Sequence, residues 1–162
     1  MGAHVTTSCS TGNVKLCENL GADEVIDYKK QNVLEVLRSK GPIFDLVVDN
    51  AGSPSDLYEH AGEFLKPNGV YNQVALQVGW PGFGSVLSRS LKPRILGGGE
   101  RKFHFVTVKP TVEGFGKIGE WMRDGKVKAV IQKTWELEEV KDAFAELRLG
   151  RTKGKFVVHV GA

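Results

Sequence analysis

The chain has 162 residues, enough for one ordinary domain with a substantial core. Hydrophobic residues make up 41% and charged residues 25%, which argues against wholesale disorder. A net charge of +3 is too small to point to nucleic acid, and no apolar run approaches membrane-spanning length.

The 20 glycines exceed the roughly 7% of an average protein, so many tight turns or close backbone approaches are expected. Cys9 and Cys17 form no CxxC pair and have no histidine close by, so neither a disulfide scaffold nor a structural zinc site is expected. A reducing compartment is the simplest setting. With no basic leader and no apolar signal core, an intracellular protein is expected.

In chain order, Ala3 to Thr7 reads as a short strand that begins abruptly. Ser10 or Thr11 caps a helix running to Asn19, which Gly21 ends. Val25-Ile26 is a second short strand. Asn32 caps a helix with Val33, Leu34, Val36 and Leu37 on one face, stopped by Gly41-Pro42. Phe44 to Asp49 has an almost continuous apolar centre, as suits a parallel strand buried on both faces.

Ser53-Pro54-Ser55-Asp56 is a helix start, followed by Leu57, Ala61, Phe64 and Leu65 at helical spacing. Lys66 to Gly69 reads as a turn and Val70 to Ala75 as a strand. A glycine-rich loop spans Gly79 to Ser85, then a short helical stretch lies near Val86 to Ser90. Arg94 to Leu96 and Phe103 to Val108 read as strands. Phe115, Ile118, Gly119 and Met122 form a helical stripe stopped by Gly125, and Ala129 to Ile131 a strand. Val140, Ala143, Phe144 and Leu147 form a second stripe stopped by Gly150, and Phe156 to Val160 a last strand. This alternation predicts βαβ crossovers in one doubly wound α/β domain with a mostly parallel sheet.

Gly114 to Gly119 matches the GxGxxG pattern of dinucleotide folds. That pattern needs a strand immediately before it, whereas five residues separate it from Val108. Thr111 is the better N-cap, so these glycines belong inside a helix.

Ligands of open α/β sheets bind beyond the carboxyl ends of the strands. The residues there are Ser8 to Asn13, Asp27 and Tyr28, Asn50-Ala51-Gly52, and Ala75-Leu76. Their hydroxyls, amides and one aromatic ring suit a nucleotide. Structural roles compete with this: a cap for Ser10 or Thr11, a partly buried ring for Tyr28, a turn for Asn50 to Gly52. The two can coexist, since cap residues sit where phosphates sit.

Leu20-Gly21-Ala22-Asp23-Glu24-Val25-Ile26-Asp27-Tyr28, with Gly2 to Thr6, Cys9 to Thr11, Asp45 to Asp49 and Leu65 to Gly69, resembles the medium-chain dehydrogenase/reductase superfamily, in its zinc-independent quinone-oxidoreductase branch. Gly125 to Ile131, Glu139 to Ala145 and Lys153 to Val158 match the same family's C-terminal stretch. The resemblance implies a Rossmann-type nicotinamide-dinucleotide domain and hydride transfer from NADPH to an activated C=C bond or a quinone. It implies that Ser10, Thr11, Asn13 and Tyr28 surround the adenosine ribose, with Asn50, Ala51 and Gly52 near the adenosine side. Val74 and Ala75 would lie near the nicotinamide, Phe103 and Phe105 in the segment lining it, and Lys155 close to the cofactor.

The family's first strand and glycine-rich turn are expected ahead of Gly2, as is its GroES-like domain. Residues 1–162 therefore read as a single, partial dinucleotide-binding domain. No zinc cluster is expected from His4, His60, His104 and His159, and no catalytic residue is assigned. NADP(H) is favoured over NAD(H), because the segment Thr6 to Ser10 carries no acid that would repel a 2′-phosphate. Lys15 is the nearest cation in this loop.

Such a chain alone is expected to turn over weakly or not at all. The alternative is a non-catalytic nucleotide-binding or dimerising module. Homodimerisation is expected through the strand near Phe103 to Val108, and neither membrane nor nucleic acid is an expected partner. The basic stretch Arg89, Lys92, Arg94, Arg101, Lys102 and Lys109 reads as a solvated face. A cytoplasmic or mitochondrial location is expected.

Overall fold

The computed structural model describes residues 2–51, 57–74, 101–107 and 109–161. They divide into two compact units, residues 1–109 and 110–162.

In the first unit, β1 (Thr6–Cys9) pairs in parallel with β2 (Glu24–Asp27), setting Cys9 opposite Asp27. A 3₁₀ turn (Thr11–Asn13) and helix α1 (Val14–Asn19) connect them. The expected single helix thus opens with a tighter turn. Ser10 occupies its N-cap position without a side-chain capping bond.

Helix α2 (Val33–Lys40) is capped as its sequence predicts, with Asn32 Oδ1 accepting from the Glu35 N–H. Its buried residues Leu34 and Leu37 join Ile26, Tyr58, Ala61, Phe64, Leu65 and Tyr71 in one core cluster. Each large apolar side chain buried there contributes about 1.5–3 kcal/mol.

Strand β3 (Phe44–Asp49), β4 (Leu65–Gln73) and β5 (Lys102–Phe105) form a parallel sheet in that order. The predicted turn Lys66 to Gly69 lies inside β4 as an irregularity. Phe44 pairs with Leu65, but Leu46 pairs with Val70. Its turn chemistry is spent on looping the chain out, which shifts the register while both flanks stay paired with β3. A Cβ on Gly69 would sit 3.0 Å from the Lys66 carbonyl oxygen, so a glycine suits this close approach.

The predicted helix start Ser53 to Asp56 lies outside the described residues, as do the loop, helix and strand expected between residues 79 and 96. Downstream of that start, residues 57–60 form turns and Ala61–Glu63 a 3₁₀ turn. Arg101, read from sequence as part of a solvated basic face, is half-buried. Its guanidinium donates to the carbonyls of Leu65 and Gly62, and its own carbonyl accepts from Tyr58 Oη. It ties β5 to the core rather than offering charge to a partner.

The second unit contains α3 (Val112–Arg123), β6 (Ile131–Glu136), α4 (Val140–Arg148) and β7 (Lys155–His159). β6 and β7 pair in parallel. β6 starts where the predicted Ala129 to Ile131 strand ends. The helices end as expected at Gly125 and Gly150, both with positive φ. Thr111 Oγ1 accepts from the Gly114 N–H, so Gly114, Gly116 and Gly119 all lie within α3.

Candidate functional site

A cavity of about 670 Å³ lies in the first unit, among β1, β2, α2 and β3. Its polar lining comes partly from within the strands, at Thr6, Thr7, Ser8 and Asp49, and partly from chain just beyond their carboxyl ends: Tyr28, Gln31 and Asn32 after β2, and Asn50 and Ala51 after β3. Its apolar lining comes from Ile26, Val33, Leu37, Phe44, Leu46 and Val47. A mostly apolar cavity with a few convergent polar groups is the usual form of a small-molecule site.

Of the residues expected at the site, Tyr28, Asn50 and Ala51 share this cavity. The turn at Asn50 is organised by Asp49. Asp49 Oδ1 accepts from the Ala51 N–H at 2.9 Å, and Oδ2 accepts from Tyr71 Oη at 2.9 Å. A buried tyrosine thereby holds the carboxylate that shapes the exposed turn.

Ser10, Thr11 and Asn13 form the turn after β1, closed by the Asn13 N–H on the Ser10 carbonyl at 2.8 Å. Beside them lies Asp27. The Thr11 hydroxyl, the Lys29 N–H at 3.0 Å and the charges of Lys30 and Lys29 hold its carboxyl below the usual carboxylate range, against the opposing effect of burial. Asp27 Oδ2 is buried without a hydrogen-bond partner among the described residues, and Lys30 Nζ lies 3.8 Å away. An unsatisfied acceptor next to a hydroxyl-bearing turn fits a ligand hydroxyl such as a ribose carries.

Lys29 places its Nζ 5.5 Å from the centre of the Tyr28 ring. Lys29 thus lies against the aromatic rim residue, while Lys30 faces Asp27. Sequence reasoning placed Asp27 among the ligand-side residues without giving it a role, and passed over Lys29, Lys30 and Gln31. The signal was there: polar and charged residues run without interruption from the end of a strand to the cap of the next helix.

The remaining expected residues are spread out. The Val74 N–H donates to the Asp49 carbonyl at 2.8 Å, which sets Val74 beside the end of β3. Phe105 pairs with Gln73 at the end of β5. Phe103 turns into the core, its ring centre 4.8 Å from that of Tyr58 and 6.3 Å from that of Tyr71. Lys155 opens β7 in the second unit, its N–H bonded to the Val130 carbonyl. Gly52 and Ala75 lie outside the described residues. Among the described residues, no three His, Cys, Asp or Glu side chains gather in a way that could hold a metal ion.

Parallel strands alternating with helices define a Rossmann-type architecture. The solved quinone oxidoreductase from Coxiella burnetii has the same fold, with a TM-score of 0.73 at 22% identity over 99% of this chain and 46% of that one. The sequence matches the family described as zinc-binding dehydrogenase over residues 20–158. The chain belongs to this family, within the medium-chain dehydrogenase/reductase superfamily. Its curated relatives include the trans-enoyl reductase pgmF of Aspergillus terreus, 45% identical over 99% of this chain and 46% of that protein. They also include the mitochondrial NAD(P)H oxidoreductase RTN4IP1 of Homo sapiens, 33% identical over 98% of this chain and 42% of that protein. The chain thus spans about half the length of the curated relatives it matches.

Proposed function

We propose that this chain is the cofactor-binding part of an NADP(H)-dependent oxidoreductase that reduces an activated C=C bond or a quinone. The cavity that brings Tyr28, Asn50 and Ala51 together at strand carboxyl ends carries the reading. The relatives named as trans-enoyl reductase and NAD(P)H oxidoreductase support its direction.

Tyr28 would stack on or border the adenosine. The Ser10 to Asn13 turn would take the ribose hydroxyls, with Asn50 and Ala51 closing the far wall. Lys29 and Lys30 favour NADP(H), because exposed ammonium groups beside the ribose attract a 2′-phosphate. A bound nicotinamide dinucleotide supplies the hydride; the protein's part is to orient it and to exclude water.

In this reading residues 1–162 form one partial dinucleotide-binding domain. Self-association through β5 is part of the proposal, since β5 ends its sheet among the described residues. So is a mitochondrial or cytoplasmic setting, the former supported by the mitochondrial relative. No described helix is long and apolar enough to cross a membrane.

Calorimetry of the full chain with NADPH and NADH tests the binding, and NADPH oxidation with a quinone or an enone tests the turnover. Tighter binding of NADPH with little turnover is expected. Tighter binding of NADH overturns the cofactor assignment, and fast turnover overturns the division of labour. The competing reading is a non-catalytic nucleotide-binding module, in which the same cavity holds a dinucleotide without passing its hydride on. Stable binding with no turnover even when the rest of a related enzyme is supplied separately would select it.

A further inference from the structure

Cys9 and Cys17 have no motif spacing in the sequence, but the fold brings them together. Cys9 ends β1 and is 9% exposed. Cys17 lies in α1, the helix that follows the turn after β1. Its side chain is hydrogen-bonded to the Cys9 thiol, and both cysteines are free of disulfides. Two sulfurs already in side-chain contact are the arrangement from which a disulfide closes with little backbone movement.

The two thiols are unequal. Cys9 is buried, whereas Cys17 is only partly covered. Burial, with Cys17, Asp27 and Glu18, holds the proton on Cys9. Cys17 is therefore the thiol that meets a small reagent first, and Cys9 the one that follows. No residue of α1 is buried, so the helix can close on β1 without disturbing the core. Between the two cysteines in the chain lies the Thr11–Asn13 turn, in which the Asn13 N–H donates to the Ser10 carbonyl. A bond between the sulfurs makes that turn part of a covalent ring.

We propose that Cys9 and Cys17 are a thiol–disulfide couple that exchanges with low-molecular-weight disulfides of the glutathione type and, when oxidised, pins the Thr11–Asn13 turn. The Cys17 thiolate attacks one sulfur of the reagent, forms a mixed disulfide and expels the first thiolate. Cys9 then gives its proton to solvent and attacks the Cys17 sulfur, expelling the second thiolate. The two protein thiols are oxidised by two electrons, and the reagent's one disulfide is reduced to two thiols. A rise from 9.0 to about 11 cuts the Cys9 thiolate about 100-fold, which slows the second step. Proximity outweighs this, since well-placed neighbouring groups reach effective concentrations of about 10⁵ M. Neither cysteine is among the residues lining the cavity assigned to the nucleotide, so the couple stands or falls apart from that reading.

The test equilibrates the full chain in buffers of oxidised and reduced glutathione, quenches with acid and weighs the intact protein. A species lighter by two hydrogens, mapped by proteolysis to a Cys9–Cys17 bond, is expected. Its effective concentration in native buffer should exceed that of the urea-unfolded chain by about tenfold or more. An equal or lower value overturns the proposal, because closeness in sequence alone would then make the bond. A chain carrying two glutathiones, or a disulfide-linked dimer, overturns it too. Cys9→Ala should stop at one glutathione on Cys17, and Cys17→Ser should stay unmodified; glutathione on Cys9 in the second variant overturns the order of attack. Cys17→Ser changes a partly exposed helical position, so that arm holds even where Cys9→Ala fails to fold. In the oxidised wild type, hydrogen exchange at the Asn13 amide should slow by about tenfold or more. Unchanged exchange there overturns the pinning.

Discussion

Tyr71 Oη donates a 2.9 Å hydrogen bond to Asp49 Oδ2, and both residues are buried. Asp49 in turn holds the Ala51 N–H, so a core aromatic fixes a turn on the cavity rim. Tyr71→Phe removes the phenolic donor while keeping the ring's packing against Tyr58 and Phe103. We expect a loss of about 1.5–3 kcal/mol in unfolding free energy, the usual range for a bond to a charged partner. NADPH affinity should fall with it. A urea titration and calorimetry check this; unchanged affinity would mean that the Asn50 turn does not depend on Asp49.

Lys29 and Lys30 follow Tyr28 directly and lie beside Asp27. Converting both to Glu should weaken NADPH binding roughly tenfold or more, about 1.4 kcal/mol per tenfold, and NADH binding far less. The salt dependence of NADPH binding should shrink in the same variant. Equal losses for the two cofactors would remove these lysines from any role at a 2′-phosphate.

The glycines at 114, 116 and 119 lie inside α3, whose N-terminus is capped by Thr111. Lys117→Glu should therefore leave dinucleotide affinity within about twofold. Thr111→Ala should instead cost about 1 kcal/mol of stability without touching affinity. A large affinity loss at Lys117 would return the motif to the binding site.

Burial pushes the Cys9 thiol from its usual 9.0 up to about 11, with Cys17, Asp27 and Glu18 adding to the shift. The folded state then holds this proton more tightly than the unfolded one. The resulting stability is fully present below about pH 9 and is lost as pH rises toward about 11. Urea midpoints across that window should fall more steeply for the wild type than for Cys9→Ala. At neutral pH Cys9 should alkylate slowly, because little thiolate is present.

The sequence by itself determined the class of fold and most of the elements. The apolar run Phe44 to Asp49, the Asn32 cap and the glycine stops at 21, 41, 125 and 150 act over a few residues, and local patterns report them directly. The LGAD-to-Tyr28 run carried the family, and the five residues between Val108 and Gly114 were enough to set the GxGxxG pattern aside. That Tyr28, Asn50 and Ala51 follow the carboxyl ends of strands was legible from the strand pattern, and the structure brings them to one cavity.

Only the tertiary structure decided what depends on residues distant in the chain. Phe103 went into the core because Tyr58 and Tyr71, more than thirty residues earlier, offer it an aromatic cluster. Arg101 spends its charge on the carbonyls of Gly62 and Leu65, which no local pattern announces. Asp27 acquires its place beside Thr11 because β1 and β2 pair with Cys9 opposite Asp27. Contacts of this kind join residues far apart in the chain, so they become visible only when the strands are laid side by side.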